Sequence, residues 1–180
     1  MPLRSLPTFA RSLLAAALAT AVFVLAAPGA DAQQKLNPFT KFGGSWIGNG
    51  LIGLSNGKQE RIRCRAGFTP AEVSTIMALK LDLRCAGDAY VFELQSELNY
   101  QDGSITGVWS ELSRGVSGRV TGTIKGDQIN AVAESQTFTA MLELVNLGDK
   151  QTVMIVSPGS EISEVRIGLN LRSRTPAPAQ

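Results

Sequence analysis

The sequence predicts an all-β protein in which about eight to ten antiparallel strands form an up-and-down meander that closes, or nearly closes, into a barrel. From residue 46 onward, apolar side chains recur with a period of two, as in strands with one buried face. Turn residues recur about every 10 to 12 positions, which is typical of short strands with tight connections. Glycines lie within several strand patterns, where a tightly coiled sheet needs them. Closure is favoured because it removes exposed sheet edges.

The first predicted strand covers 45–54 and ends at the turn Ser55-Asn56-Gly57-Lys58. Asn-Gly favours positive φ angles and therefore predicts a type I′ hairpin. The second strand covers 59–66 and alternates between two faces. Its inner residues are Ile62, Cys64 and Ala66, and its outer residues are Arg61, Arg63 and Arg65.

The third predicted strand, 77–85, places a second cysteine on the inner face. That face carries Met77, Leu79, Leu81, Leu83 and Cys85. Because Cys64 and Cys85 both face inward on proposed neighbouring strands, we predict a disulfide between them. A reactive or metal-binding pair is the weaker interpretation, since the chain has no histidine and no third cysteine.

A short helix is predicted near 70–75. Thr69-Pro70-Ala71-Glu72 has the pattern of a capping box with proline at the first helical position. A longer helix through Lys80 is the alternative, but the alternation from 77 onward favours a strand.

The rest of the chain predicts seven further strands separated by turns. Tyr90, Phe92, Leu94 and Leu98 are expected to face inward from the first of them. The strands are 89–98, 104–113, 116–124, 128–134, 137–145, 151–157 and 162–172, and the turns are Gln101-Asp102-Gly103, Lys125-Gly126-Asp127, Leu147-Gly148-Asp149 and Ser157-Pro158-Gly159.

The N-terminus has the pattern of a secretory signal peptide. Arg4 and Arg11 precede an apolar run over 12–27, and Ala30-Asp31-Ala32 then predicts cleavage before Gln33. A run of about 16 apolar residues is short for a membrane span of roughly 20, so we expect no transmembrane anchor. A cysteine that could carry a lipid is absent at the cleavage site. The mature protein is therefore predicted to be periplasmic or secreted.

The predicted organisation is a signal peptide over 1–32, a lead-in over 33–43, a barrel domain over 44–172 and a disordered tail over 173–180. The formal net charge is +2, and loss of Arg4, Arg11 and Asp31 with the signal leaves +1. So small a charge gives no reason to expect nucleic acid as a partner.

The opening of the first strand resembles that of the calycins, the lipocalin and avidin-like barrels. Gly44-Ser45-Trp46 matches their G-x-W motif, and Asn37-Pro38 just before it could start a short helical turn. The resemblance implies that Trp46 packs at the closed end of the barrel beneath an arginine, for which Arg166 and Arg172 are the candidates.

Most of the mature chain also resembles a family of uncharacterised secreted alphaproteobacterial β-barrel proteins. The shared features are a G-S-W start, a strand with an R-x-R-C motif that includes Cys64 and an L-x-L-R-C-A segment around Cys85. This resemblance implies a β-barrel fold and secretion, but no activity.

No catalytic arrangement emerges, so we expect a non-enzymatic protein without cofactor or metal. The absence of histidine excludes the usual Ser-His and Cys-His triads. Ser55 and Lys58 spell S-x-x-K, but in a hairpin turn and not at a helix start, so chance explains the motif. Glu93, Glu97 and Glu111 are interpreted as solvated surface charges rather than a glycosidase pair.

Two sets of residues are candidates for binding. Trp46, Tyr90, Phe92 and Trp109 are the candidates for lining a ligand cavity, with ordinary core packing as the alternative. Arg61, Arg63 and Arg65 are the candidates for contacting an anionic envelope polymer such as lipopolysaccharide or peptidoglycan; the alternative is a solvated face balanced by neighbours such as Glu93.

The sequence therefore predicts an exported binding module with a small apolar ligand in the barrel or a cell-envelope component as partner. The competing hypothesis is an envelope or protease-inhibitor-like interaction protein with a filled barrel. An outer-membrane barrel is disfavoured because aromatic girdles are missing. A cavity of roughly 300 Å³ or more separates the first two hypotheses.

Overall fold

Ten antiparallel strands form a closed barrel in the computed structural model, which describes residues 36–174. The strands are β1 (Gly44–Leu54), β2 (Gln59–Val73), β3 (Ile76–Ala86), β4 (Val91–Gln101), β5 (Ser104–Glu111), β6 (Val116–Lys125), β7 (Gln128–Glu134), β8 (Thr139–Asn146), β9 (Lys150–Val156) and β10 (Ile162–Ser173). Each strand pairs with its neighbours in sequence, and β10 returns to pair with β1. The predicted fold class is confirmed.

The alternating pattern of the sequence explains this architecture. Along β3, for example, Met77, Leu79 and Leu81 are buried while Lys80 and Asp82 are exposed. Apart from β2, the strand ends differ from the predicted ends by no more than three residues. Apolar side chains of all ten strands thereby meet inside one barrel.

The helix predicted near 70–75 is wrong, because β2 continues through this segment to Val73. Pro70 pairs with Leu79 of β3 in the same ladder that pairs Cys64 with Cys85. The Cα atoms of Cys64 and Cys85 are only 4.1 Å apart, as in an opposite pair without hydrogen bonds between its residues. Pro70 lies an even number of residues from Cys64 on the same strand, so its pair with Leu79 is also a non-hydrogen-bonded one. Its missing N–H therefore falls on the side of β2 where β1 has already ended at Gly44.

The type I′ turn predicted at Asn56-Gly57 is also wrong. Among these turn residues only Gly57 has a positive φ, 81°, and its N–H donates to the carbonyl of Leu54 at 3.0 Å. This arrangement is typical of a longer loop that ends in one left-handed residue. Asp102 and Gly103, with φ angles of 48° and 90°, instead provide the two-residue turn with positive φ at both positions.

The disulfide between Cys64 and Cys85 is confirmed. The two residues are direct partners in the β2–β3 register, and both side chains are buried inside the barrel. The covalent link therefore joins two strands whose pairing the sequence pattern already specifies.

Glycines allow β1 and β10 to approach closely where the barrel closes. A Cβ at Gly48 would lie 1.8 Å from the carbonyl oxygen of Gly168, and one at Gly50 would lie 2.4 Å from that of Arg166. No side chain fits either position. These residues therefore permit the coiling that closes the sheet.

One end of the barrel is closed by the lead-in segment. Its 3-10 turn, Thr40–Phe42, is the only helical element in the described part of the chain and follows Asn37-Pro38 as expected. Phe39 and Phe42 are fully buried. The carbonyl of Phe42 accepts hydrogen bonds from Trp46 Nε1 at 3.2 Å and from Gln151 Nε2 at 3.1 Å.

The arginine that covers Trp46 is Arg174, and neither Arg166 nor Arg172 takes this place. The guanidinium carbon of Arg174 lies 5.9 Å from the centre of the Trp46 ring, within cation–π range. Arg174 also donates to the carbonyls of Lys41 and Gly148, at 3.2 and 2.8 Å. Arg166 pairs with Glu164 instead.

The predicted signal peptide, its cleavage site before Gln33 and residues 175–180 of the predicted tail lie outside the described residues. Within residues 36–174, no helix is long and apolar enough to cross a membrane.

Candidate ligand cavity

The barrel interior contains a cavity of about 320 Å³. It opens at the end formed by the β5–β6 and β9–β10 loops, because Arg114 and Ser160 of these loops belong to its lining. In an up-and-down barrel, successive hairpins alternate between the two ends, so this mouth lies opposite the end closed by Phe42 and Trp46. The interior is therefore closed at one end and accessible at the other.

Small side chains on β7 and β8 leave the space unfilled. Ala131, Ala133 and Ala140 line the cavity. The larger apolar side chains of its wall come from β3 to β10 and from the β7–β8 loop: Leu79, Leu81, Phe92, Leu94, Leu98, Trp109, Val116, Val120, Ile129, Phe138, Leu142, Leu144, Ile155, Ile162 and Val165. The wall is thus almost entirely apolar, as small-molecule sites usually are.

The four predicted aromatic residues occupy different places. Phe92 and Trp109 line the cavity, Tyr90 packs against the core close to the mouth, and Trp46 lies at the closed end outside the lining. Phe138, which the sequence analysis did not single out, completes the wall with its ring centre 5.6 Å from that of Trp109. Phe138 lies two residues before Ala140, which faces inward, so strand alternation could have identified Phe138 as an inward-facing residue.

The indole of Trp109 carries a buried N–H without a hydrogen-bond partner among the described residues. It lies against Gly118 of β6, where a Cβ would come within 2.9 Å of Nε1. Glycine at this position therefore makes room for the ring. The ring of Trp109 contributes apolar surface to the cavity wall.

Glu111 is not a solvated surface charge, contrary to the sequence-based expectation. It shares the inner face of β5 with Trp109, is only 5% exposed and lines the cavity. Its carboxylate accepts hydrogen bonds from the backbone N–H groups of Glu93 at 2.8 Å and Arg114 at 2.8 Å, and from the hydroxyl of Ser113. Burial raises the pKa of Glu111, but these hydrogen bonds outweigh it and leave the pKa below its ordinary value.

The mouth combines paired charges with hydroxyl groups. Glu111 lies 3.6 Å from the guanidinium of Arg114, and the Ser157 and Ser160 hydroxyls are 2.7 Å apart. The hydroxyl of Tyr90 donates to Glu161 at 2.8 Å, and this bond raises the pKa of Tyr90. Within the described residues, no lysine or arginine nitrogen lies within 4 Å of the Glu161 carboxylate, so this negative charge at the mouth has no ion-pair partner.

The arginine row lies far from this cavity, on the outside of the barrel. Arg61, Arg63 and Arg65 are exposed, and no carboxylate within residues 36–174 lies within ion-pair distance of them. Glu93, which the sequence analysis offered as a balancing neighbour, pairs with Arg84 instead. Glu97 pairs with Lys80 at 3.4 Å.

No cluster of ionisable side chains in the described part of the chain is arranged to hold a metal ion. Ser55 and Lys58 lie in the β1–β2 turn, where the backbone N–H of Lys58 bonds to Asn56 Oδ1 at 3.0 Å. The S-x-x-K pattern thus lies in an exposed turn.

The fold is similar to those of two solved structures. The crystal structure of Rv2717c from M. tuberculosis matches with a TM-score of 0.54 and 16% identity, over 79% of this chain and 98% of that chain. The structure of the S-type phycobiliprotein lyase CPES from Guillardia theta matches with a TM-score of 0.53 and 11% identity, over 77% and 91% respectively. At these identities the likeness concerns the barrel fold alone.

No protein-family model and no curated protein matches the sequence.

Proposed function

We propose that this protein is a non-enzymatic binding module that holds a small apolar ligand inside its barrel. The observation that carries the proposal is the apolar cavity of about 320 Å³, closed at the Trp46 end and open at the other. Its volume lies at the lower end of the range for small-molecule sites, roughly 300 to 1,000 Å³. The likeness to a phycobiliprotein lyase adds support for a small ligand at the level of fold.

The cavity also weighs against the competing hypothesis of an interaction protein with a filled barrel. A filled interior would need large side chains on β7 and β8, where Ala131, Ala133 and Ala140 stand. The disulfide between Cys64 and Cys85 is consistent with an exported protein, because such bonds persist in oxidising compartments. We therefore propose that the protein binds its ligand outside the cytoplasm.

The charges at the mouth narrow the ligand class further. Glu111 and Arg114 form a pair, whereas Glu161 has no cationic partner in the described chain. A carboxylate head group at the mouth would be repelled by Glu161, whereas a hydroxyl could bond to Ser157 or Ser160. The proposal is therefore an apolar ligand whose polar end is uncharged.

Thermal denaturation in the presence of matched ligands tests this function. Farnesol and dodecanol should raise the melting temperature as their concentration rises, since a ligand that binds the folded state stabilises it by mass action. Dodecanoate, which has the same chain and an anionic head, should shift it less at pH 7. Equal shifts with dodecanol and dodecanoate would refute the head-group argument, and no shift with any of the three would refute the cavity site.

The variant Glu161→Gln provides the matched control for the head group. Removing this charge should narrow the difference in melting-temperature shift between dodecanol and dodecanoate. The effect of dodecanol should stay unchanged, because glutamine keeps the size and the methylene carbons of the Glu161 side chain in the lining.

A further inference from the structure

A shallow hollow on the outside of the barrel brings three arginines together. It has a volume of about 370 Å³ and lies over β10, β1 and β2. Arg63 and Arg65 line it from β2 and Arg172 lines it from β10, with Ile47, Asn49 and Asn170 between them. We call these six residues the basic hollow.

The sheet register explains why these side chains meet. Arg65 lies opposite Ile47, which lies opposite Asn170, while Arg63 lies opposite Asn49. Neighbouring strands are about 4.8 Å apart, and successive outward residues of one strand are about 7 Å apart. Arg63, Arg65 and Arg172 therefore surround one patch whose middle strand carries only uncharged side chains.

No carboxylate lines the basic hollow, and none in the described chain lies within 4 Å of its three guanidiniums. The neighbouring groove shares Arg63 with the basic hollow, but it is also lined by Asp88 and Glu143. The positive charge that no nearby carboxylate neutralises is therefore concentrated at the end of the sheet nearest Arg172. Guanidinium groups at such a site bind phosphate through paired hydrogen bonds.

An exposed apolar side chain stands among these charges. Ile47 is 42% exposed at the centre of the hollow, and Leu51, two outward positions further along β1, is 40% exposed. A polyphosphate chain offers no apolar surface for them, and the base faces of a single-stranded nucleic acid bind chiefly by stacking on aromatic side chains, not aliphatic ones. A lipid layer offers phosphate groups next to acyl chains. Basic residues beside exposed apolar ones are typical of proteins that lie on an anionic membrane surface.

We propose that the basic hollow docks this protein onto an anionic phospholipid surface, with Arg63, Arg65 and Arg172 holding lipid phosphates and Ile47 contacting the acyl boundary. The docking site is separate from the barrel mouth, since none of its residues lines the cavity. A protein held in this way could exchange an apolar ligand with the membrane, but the docking does not depend on such a ligand.

Co-sedimentation with vesicles tests the proposal. The mature protein should bind vesicles that contain phosphatidylglycerol and should not bind vesicles of phosphatidylcholine alone, and binding should weaken as salt rises. The double variant Arg63→Gln/Arg65→Gln should bind phosphatidylglycerol vesicles about thirtyfold more weakly, from the usual contribution of two basic residues close to an anionic membrane. Ile47→Ser should weaken binding without changing its salt dependence.

The double variant Arg119→Gln/Lys125→Gln is the matched control. It removes the same charge from exposed positions on β6, where neither side chain has an ion-pair partner in the described chain. Its affinity should stay within about threefold of wild type, as expected for charges that lie beyond a Debye length from the docking face. Because all four substituted residues are exposed, both variants should retain the wild-type melting temperature.

Equal binding to both vesicle types, equal loss in the two double variants, or no binding to phosphatidylglycerol would each overturn the proposal. Strong binding of polyphosphate or single-stranded DNA that Ile47→Ser leaves unchanged would point to a polyanion partner and would also overturn it. None of these outcomes bears on the cavity, which ligand-induced stabilisation tests separately.

Discussion

The carboxylate of Glu111 accepts a hydrogen bond from the backbone N–H of Glu93 at 2.8 Å, across the junction of β4 and β5. The same carboxylate also caps the start of the β5–β6 loop by accepting from Ser113 and Arg114. One buried side chain on the inner face of β5 therefore links the strands and the loop that form the mouth of the cavity.

Glu111→Gln should destabilise the protein by about 2 kcal/mol, because an amide cannot accept all the hydrogen bonds that the carboxylate accepts. Since the pKa of Glu111 in the folded state lies below its ordinary value of 4.5, its stabilising effect is complete above that pH. The effect is lost as the pH falls through the lowered pKa. The difference in unfolding free energy between wild type and variant should therefore shrink between pH 7 and pH 3.

Urea denaturation at several pH values measures this difference. Glu97→Gln is the control, since Glu97 is exposed on β4 and, among residues 36–174, forms an ion pair with Lys80 alone. It should change the stability by less than about 0.5 kcal/mol. A Glu111→Gln protein as stable as wild type at pH 7 would contradict the assigned role.

The disulfide should contribute about 3 kcal/mol, because Cys64 and Cys85 close a loop of 21 residues. The double variant Cys64→Ser/Cys85→Ser should lose that amount in denaturation experiments, and wild type should lose a similar amount on reduction. Peptide mapping without reductant should recover the linked pair. Two alkylatable thiols in protein from an oxidising compartment would count against the bond.

Gly48→Ala should destabilise the protein by at least about 2 kcal/mol, because the added methyl group would collide with the carbonyl of Gly168 and force β1 away from β10. Gly67→Ala is the matched control on neighbouring β2, where a Cβ meets nothing within 4 Å. Thermal melts of both variants test the closure of the barrel. Similar melting temperatures for the two would mean that the β1–β10 contact is looser than described.

Ala131→Leu should fill part of the cavity and abolish the stabilisation by dodecanol. Ala131 is 93% buried and lines the cavity, so the larger side chain takes the place of the ligand. The unliganded variant should be at least as stable as wild type, because it gains apolar contacts in an unfilled space. Ala78→Leu, on the outer face of β3, should leave the dodecanol effect intact. Unchanged stabilisation of Ala131→Leu by dodecanol would place the ligand elsewhere.

Much of the fold is predictable because local patterns and global packing agree. The period-two alternation of β3 specifies its buried face, and the inward parity of Cys64 and Cys85 predicts their disulfide. The capping-box pattern at Thr69-Pro70 fails because it describes local preference only. In the folded protein, pairing with β3 outweighs the local preference for a helix. Pro70 is tolerated in the strand because β1 does not extend beside it.

The site is less predictable because a cavity is a property of the whole barrel. Trp109 and Phe92 follow from strand parity, but the space beside them depends on alanines of β7 and β8, which no local motif marks. Glu111 shows the same limit. Its inward parity was visible, but the Ser113 and Arg114 groups that make a buried charge tolerable come from a loop whose conformation depends on tertiary contacts.

The central claim is that the barrel interior binds an apolar ligand. The fluorescence emission of the two tryptophans tests it most directly. Trp109 lines the cavity, whereas Trp46 lies at the closed end beneath Arg174 and outside the lining. Titration with dodecanol or farnesol should change the tryptophan emission of wild type. In Trp109→Phe the emission, which then comes from Trp46 alone, should stay unchanged although the ligand still raises the melting temperature. An emission change retained in Trp109→Phe, or no change in emission and melting temperature up to about a hundred micromolar ligand, would contradict the proposed cavity site.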